Sequence, residues 1–107
     1  SSNVTASQNI SFLNGHYQII QAGADITLTL ADWPASGKLG RIRLQLASDG
    51  AGSRTITWAA AAGGTFKAPA GDAGTLTLTS QTNPTIVDFW TINGGTTVFR
   101  KTGDLYQ

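Results

Sequence analysis

Apolar and polar residues alternate along much of the chain, and this alternation predicts β-strands. Four segments show it most clearly: 25–30 (DITLTL), 41–48 (RIRLQLAS), 54–58 (RTITW) and 74–79 (GTLTLT). In the first of them Ile26, Leu28 and Leu30 lie on one side, and the Asp and Thr residues lie on the other. Because successive side chains of a strand point to opposite faces, each segment offers one face to a core and one to solvent.

One predicted strand, 85–92 (TIVDFWTI), is apolar on both faces. Ile86, Trp90 and Ile92 share one face with Asp88, while Val and Phe residues occupy the other. Such a strand is typical of a central sandwich position, or of a sheet whose second face is covered by another subunit. We therefore predict an oligomer interface at Ile86, Trp90 and Ile92, within a homotrimer.

Turn residues separate the predicted strands and suggest three hairpins. Asn14-Gly15 lies between NISFL and HYQIIQ, the cluster 48–53 (SDGAGS) joins two alternating segments, and 93–95 (NGG) leads into TTVFRK. Asn-Gly and Gly-rich turns of this kind favour hairpin connections. The segment 59–73 has neither strand alternation nor a helical stripe, and we predict a long loop there.

These turns recur every eight to twelve residues, which is the spacing of a small sandwich or barrel. We predict an all-β fold, a single antiparallel β-sandwich of jelly-roll-like form with about eight strands. Residues 1–8 are small and polar, and we interpret them as an N-terminal arm or linker before a domain over 9–107. The chain opens without Met, so we expect it to be part of a longer protein.

Composition supports this fold class and narrows the chemistry. The 107 residues include fifteen Thr but no Glu, Cys or Met, a composition that favours strands over helices. The lack of Cys excludes disulfides and thiolate zinc sites. We expect no cofactor and no metal site, with a calcium ion held by loop carbonyls as an open alternative. The formal net charge of +1 predicts neither a nucleic-acid partner nor membrane insertion.

Catalytic residues are not evident in the chain. Its only His, His16, has no Ser-centred G-x-S-x-G motif to accompany it in a triad. Five of the six Asp residues sit beside turns, where Asp favours backbone hydrogen bonds. Asp88 is the exception, and we expect a neighbouring Arg or the backbone to satisfy its carboxylate. We predict that the protein is not an enzyme.

Aromatic residues are the candidate ligand-binding positions, because sugar rings pack on flat aromatic faces. We predict ligand binding by Trp33, which precedes a Pro in the turn ADWP, and by Phe66 and Tyr17. For Trp90, core, subunit interface and sugar platform are all open, and we favour the interface. Outward rows of Thr offer hydroxyl groups, but ordinary solvent-facing strands explain them better than a glycan site does.

The order of several segments resembles a module of bacteriophage tail fibres, tailspikes and related virion spikes, also found in prophages and gene transfer agents. The resemblance covers roughly residues 23–100 and depends on ITLTL, GRIRLQLASDGAGSRTITW, the Gly63-Gly64 loop, TLTLTS and TIVDFWTINGGTTVF. The chain departs from that pattern at 59–62, where such modules often carry a Pro and a further Trp.

This resemblance implies a non-enzymatic, receptor-binding virion module for host-surface attachment, with a host cell-surface glycan as partner. It further implies other virion proteins as partners, a homotrimer, and a location on the virion or extracellular surface. Two alternatives stay open. One is a structural spacer or trimerisation domain of a virion protein without a ligand, and the other is a carbohydrate-binding appendage of a polysaccharide-degrading enzyme.

Overall fold

The structure, a computed structural model, describes residues 3–61, 63–68, 74–80 and 83–105, with residues 104–105 described by their backbone alone. Its elements in chain order are β1 (Asn3–Val4), β2 (Gln8–Ser11), a 3-10 turn (Phe12–Asn14), β3 (Tyr17–Ala22), β4 (Ile26–Ala31), β5 (Gly40–Ser48), β6 (Arg54–Ala60), β7 (Thr65–Lys67), β8 (Thr75–Leu78), β9 (Thr85–Thr91) and β10 (Thr97–Leu105). Among the described residues, no helix has the length and apolar character needed to cross a membrane.

The strands form two sheets that pack face to face, so the all-β, sandwich-like class is confirmed. One sheet has the order β1-β3-β5-β9-β10-β7, and the other has the order β2-β4-β6-β8. The prediction of about eight antiparallel strands in a jelly-roll-like arrangement is wrong. The described residues form ten strands, and five of the eight strand pairs are parallel.

Four of the five parallel pairs arise because the first six strands alternate between the sheets. β1, β3 and β5 lie side by side in the six-stranded sheet, while β2, β4 and β6 lie side by side in the four-stranded sheet. The chain therefore winds around the core, and each circuit adds one strand to each sheet. β1 lies within the segment 1–8 that the sequence suggests as an arm, and it pairs with β3.

This winding explains the outcome of the hairpin predictions. The turns at Asn14-Gly15 and 48–53 each connect strands of different sheets, so neither forms a hairpin. The Asn93-Gly94-Gly95 turn does form one, because β9 and β10 pair antiparallel across it. The predicted loop 59–73 instead contains the end of β6 and all of β7, and its last part, 69–73, lies outside the described residues.

The core lies between the two sheets, and the alternating segments supply it as predicted. Ile26, Leu28 and Leu30 of β4 are buried in the same core cluster as Ile42, Leu44 and Leu46 of β5, in the opposite sheet. Phe89 of β9 is fully buried, and its ring centroid is 5.0 Å from that of Trp58 on β6. Aromatic and aliphatic side chains thus interdigitate across the sandwich.

The link from β5 to β6 is held by one carboxylate. Oδ1 of Asp49 accepts hydrogen bonds from the Ala51 N–H at 3.1 Å and from Nη2 of Arg54 at 3.0 Å. Oδ2 of Asp49 accepts a third from Nδ2 of Asn3 at 3.3 Å. The Ala51 N–H first, and then the Arg54 side chain, hold the pKa of the Asp49 carboxyl below its ordinary value.

Replacing this carboxylate tests its contribution to stability. Because folding lowers the pKa of Asp49, its ionised form stabilises the folded state above the unfolded-state pKa of about 3.9. That contribution disappears as the pH falls through the folded-state pKa. We expect Asp49→Asn to unfold at a lower temperature than the wild type at neutral pH, with the difference shrinking in acid. Circular dichroism melts between neutral pH and about pH 2 measure this, and a constant difference would contradict it.

Candidate functional site

The outer face of the six-stranded sheet carries the most chemically varied surface of the described chain. We define the outer face by the side chains of this sheet that point away from the core. Alternation along each strand places them there: the inward Ile42 and Leu44 of β5 are buried, so their neighbours point outward. The outer face comprises Tyr17, Ile19, Arg41, Arg43, Gln45, Lys67, Ile86, Asp88, Trp90, Phe99 and Lys101.

Strand register arranges these side chains in rows across the sheet. In the central row Trp90 of β9 lies opposite Phe99 of β10 on one side and opposite Arg41 of β5 on the other. Lys67 of β7 then lies opposite Phe99 and completes the row. The Trp90 and Phe99 rings stack, with centroids 5.7 Å apart and an angle of 16° between their planes. The row is therefore an aromatic pair with a cation at each end.

A neighbouring row contains the only ion pair that the described residues form on this face. Arg43 of β5 lies opposite Asp88 of β9, and its Nε and Nη2 donate to the two carboxylate oxygens at 2.8 and 3.2 Å. This two-bond geometry is the strong form of an Arg–carboxylate contact. The expectation that an Arg or the backbone satisfies the Asp88 carboxylate is confirmed, and the partner is Arg43.

Two open depressions lie on the outer face. The larger, of about 300 Å³, is lined by Lys67, Ala68, Trp90, Phe99, Arg100 and Lys101. The smaller, of about 190 Å³, is lined by His16, Tyr17, Arg41 and Arg43. The aromatic pair borders the first, and Tyr17 borders the second. Each depression thus combines an aromatic side chain with at least two cations.

Positive charge is concentrated on this face. Its described side chains include four cations and one carboxylate, a net charge of +3 (four minus one), whereas the whole chain carries +1. Asp25, Asp32 and Asp49 all lie off the face, in turns that join the two sheets or follow β4. A ligand that approaches the outer face therefore meets a local excess of positive charge that the overall composition conceals.

The predicted ligand-binding residues do not lie together. Tyr17 is on the outer face, 49% exposed, and its hydroxyl donates to Oε1 of Gln45 at 3.0 Å. Trp33 is half-buried in the turn after β4, with its ring centroid 5.9 Å from that of Phe12. Phe66 of β7 points inward, and its ring centroid lies 6.1 Å from that of Phe89. Both Trp33 and Phe66 pack against the core.

The predicted interface residues do share one side of the molecule. Ile86 and Trp90 are half-buried on the outer face, and Ile92 follows β9 and is 59% exposed. Leu39, which is 64% exposed, directly precedes β5. Because Gly40 lies opposite Thr91, Leu39 and Ile92 lie at the same end of the sheet. The structure thus brings Tyr17 onto one surface with the residues predicted for an interface.

Sequence reasoning missed the partners that complete the central row. The position of Phe99 could have been predicted from the sequence, because the hairpin at 93–95 places β10 beside β9 and fixes which residues lie opposite each other. Lys67 could not be placed in this way. It reaches the row only because β7 joins β10 as a parallel edge strand, and no local pattern predicts such a pairing.

The outward Thr residues form a second, different surface on the four-stranded sheet. Thr57 of β6 lies opposite Thr27 of β4 and Thr75 of β8, and Thr55 lies opposite Thr77. A polar depression of about 300 Å³ at one end is lined by Ser7, Asp25, Ile26, Thr27, Thr55 and Thr57. This surface carries hydroxyl groups, but its described strand residues include no outward aromatic side chain.

Groups typical of catalysis are not assembled in the described ranges. His16 lines the smaller depression, and within those ranges no hydrogen bond joins its side chain to a Ser or Asp. No three His, Cys, Asp or Glu residues of the described part lie close enough to hold a metal ion. Comparisons of the chain with family models, with curated proteins and with solved structures find no match. The geometry of the outer face therefore carries the functional inference.

Proposed function

We propose that this domain is a non-enzymatic module of a phage-like virion fibre or spike, located on the virion or extracellular surface, that attaches to a host by binding a cell-surface polysaccharide. The observation that carries the proposal is the Trp90–Phe99 stack, which borders the larger of the two open depressions on the outer face. The resemblance of residues 23–100 to phage fibre modules supports the same function.

The outer face combines the features that sugar recognition requires. Aromatic rings present apolar area at low conformational cost, and the C–H faces of a sugar ring pack on them. Arg41 and Lys67 flank the aromatic pair, and the Tyr17 hydroxyl and the Gln45 amide, which are hydrogen-bonded to each other, lie farther along the same face. These polar groups can bind sugar hydroxyls. An open site of about 300 Å³ is at the small end for ligand pockets, which favours weak binding of a short segment. Several copies in one fibre would multiply that affinity through avidity.

A second candidate function is structural, with the domain serving as a trimerisation or spacer unit of a virion protein. The exposure of Ile19, Leu39 and Ile92, at 52%, 64% and 59%, favours it. A second copy packed over the outer face would bury these side chains together with Ile86 and Trp90. Light scattering distinguishes the two functions, since only an assembly surface makes the measured mass depend on Trp90.

The test is Trp90→Ala against a control that removes exposed apolar surface elsewhere. We expect this substitution to weaken binding to a polysaccharide array, and to host cells that carry capsule, by about tenfold or more, because aromatic anchors dominate such interfaces. Leu13→Ala is the control, since Leu13 is 80% exposed in the 3-10 turn and away from the outer face. We expect it to bind like the wild type.

Two results would contradict the proposal. Equal binding by the Trp90 and Leu13 variants would remove the outer face as the binding surface. A loss of oligomeric mass in Trp90→Ala, with no polysaccharide bound by any of the three proteins, would replace attachment by assembly as the function of this face. Circular dichroism spectra must agree for all three proteins, so that a folding defect is not mistaken for lost binding.

A further inference from the structure

Resting on the proposed function, we infer that the polysaccharide bound by the outer face is acidic, with its carboxylates paired to Arg41, Lys67 and Lys101. The net charge of +3 on the described side chains of this face is the first observation in its favour. A neutral glycan gains nothing from such a concentration of cations, whereas an anionic one is attracted to it and oriented by it.

The cations surround the aromatic pair. Arg41 and Lys67 stand at the two ends of the Trp90–Phe99 row, three strand spacings apart, which is about 14 Å. Lys101 follows Phe99 by two residues on β10, so it projects from the same face about 7 Å along the strand. A sugar ring packed on the aromatic pair therefore has a cation in either direction across the sheet and another along it.

These three cations are available to a ligand. Arg41, Lys67 and Lys101 are all exposed. The one described carboxylate of the face, on Asp88, is occupied by Arg43 in a two-bond pair, and no described carboxylate forms an ion pair with the other three. The half-exposed Arg43 extends the positive surface on the side of Tyr17.

The small number of exposed cations favours an acidic polysaccharide over a nucleic acid. Each strand of duplex DNA carries one phosphate per about 3.4 Å of helix axis, and a protein with roughly six to ten phosphate contacts shows the strong salt dependence typical of DNA binding. The outer face offers three cations that no described carboxylate pairs, and the Trp90–Phe99 rings lie between Arg41 and the two Lys residues. A polysaccharide of uronic acids presents its carboxylates at least one sugar ring apart, so its charges and ring faces alternate as the cations and aromatic rings do.

The experiment compares each acidic polysaccharide with its own uncharged form. Alginate, polygalacturonate and hyaluronan serve as probes beside carboxyl-reduced preparations of the same chains, with a single-stranded oligonucleotide as a further arm. Binding is measured by biolayer interferometry at about 50 mM and 200 mM salt, because contacts between exposed charges weaken as salt rises. The proteins are the wild type, Lys67→Gln/Lys101→Gln, Trp90→Ala and Lys38→Gln, the last removing an exposed Lys outside the outer face.

We expect the wild type to bind at least one acidic probe about tenfold or more tightly than its reduced form. The affinity of Lys67→Gln/Lys101→Gln for the acidic probe should fall about three- to thirtyfold, and most of its salt dependence should disappear. The affinity of Lys38→Gln should equal that of the wild type. If the wild type binds the acidic and the carboxyl-reduced forms equally, and only Trp90→Ala loses affinity, the ligand is not acidic. The proposed attachment function would still stand. Binding of neither form would overturn the proposed function as well. Preference for the oligonucleotide would replace the polysaccharide with nucleic acid.

Discussion

Phe89→Ala should lower the free energy of unfolding by about 3–5 kcal/mol, the range found when a large buried aromatic side chain is truncated. Phe89 is fully buried at the centre of β9, between the two sheets. Its ring meets Trp58 edge to face, with 5.0 Å between centroids and 69° between planes, and lies 6.1 Å from Phe66. Removing the ring leaves a cavity between the two sheets. Because hydrogen bonds hold the strands in place, the sheets can move only slightly to fill it.

The matched control is Phe99→Ala, which removes the same ring from the next strand on the opposite face. Phe99 is 36% exposed and loses its stack with Trp90, so we expect a cost of about 1 kcal/mol. Urea denaturation followed by circular dichroism gives both values. Equal costs for the two substitutions would contradict the assignment of faces. Should Phe89→Ala not fold, Phe89→Leu provides a smaller but measurable loss.

This pair of substitutions depends on what the sequence predicts well, namely the side of each strand that faces the core. In β9 the period of two separates Val87 and Phe89 from Ile86 and Trp90, and burial follows that division. The same holds for β5, where Arg41 and Arg43 point outward as expected. Alternation is a local property, since it depends only on the pleat of one strand.

Which sheet a strand joins is not a local property, and local sequence patterns do not predict it. The SDGAGS cluster has hairpin chemistry, but the same residues can turn a chain from one sheet to the other. Within the turn, Ser48 Oγ donates to the Gly52 carbonyl at 2.6 Å and Asp49 accepts from the Ala51 N–H, and these are local contacts. Nothing in those contacts specifies whether the next strand pairs with β5 or crosses the core.

The residues of the candidate site also fall into two groups, those indicated by a local sequence pattern and those placed by long-range strand pairing. Trp90 and Ile86 were recognisable because an apolar residue on the second face of a strand is a local signal. Arg41 and Lys67 flank the aromatic row through pairings of β5 with β9 and of β7 with β10, which span long stretches of chain. For Trp33 the local signal is misleading. A Trp before a Pro in a turn suggests an exposed ring, but Gly40 and Gly95, which are distant in sequence, leave space in which that ring packs.

Those glycines make the second large prediction possible. Gly95, in the turn between β9 and β10, has φ of +91°, and a methyl group added to it would lie 2.5 Å from Cδ1 of Trp33. Its N–H donates to Oγ1 of the buried Thr91 at 3.1 Å, which limits how far the turn can move away. We expect Gly95→Ala to lower the free energy of unfolding by about 2–6 kcal/mol, the sum of backbone strain and overpacking.

Gly15→Ala separates the two contributions, because Gly15 has φ of +110° but no atom within 4 Å of an added methyl group. It should therefore cost only the backbone strain, about 1–3 kcal/mol, in the same urea titration. In a Trp33→Ala background both Cγ and Cδ1, the atoms nearest the added methyl group, are gone, so Gly95→Ala should cost no more than Gly15→Ala. A double-mutant cycle measures this coupling directly. If Gly95→Ala costs the same with Trp33 present or replaced, the Trp33 ring does not occupy this place, and its full face returns as a candidate surface for a sugar.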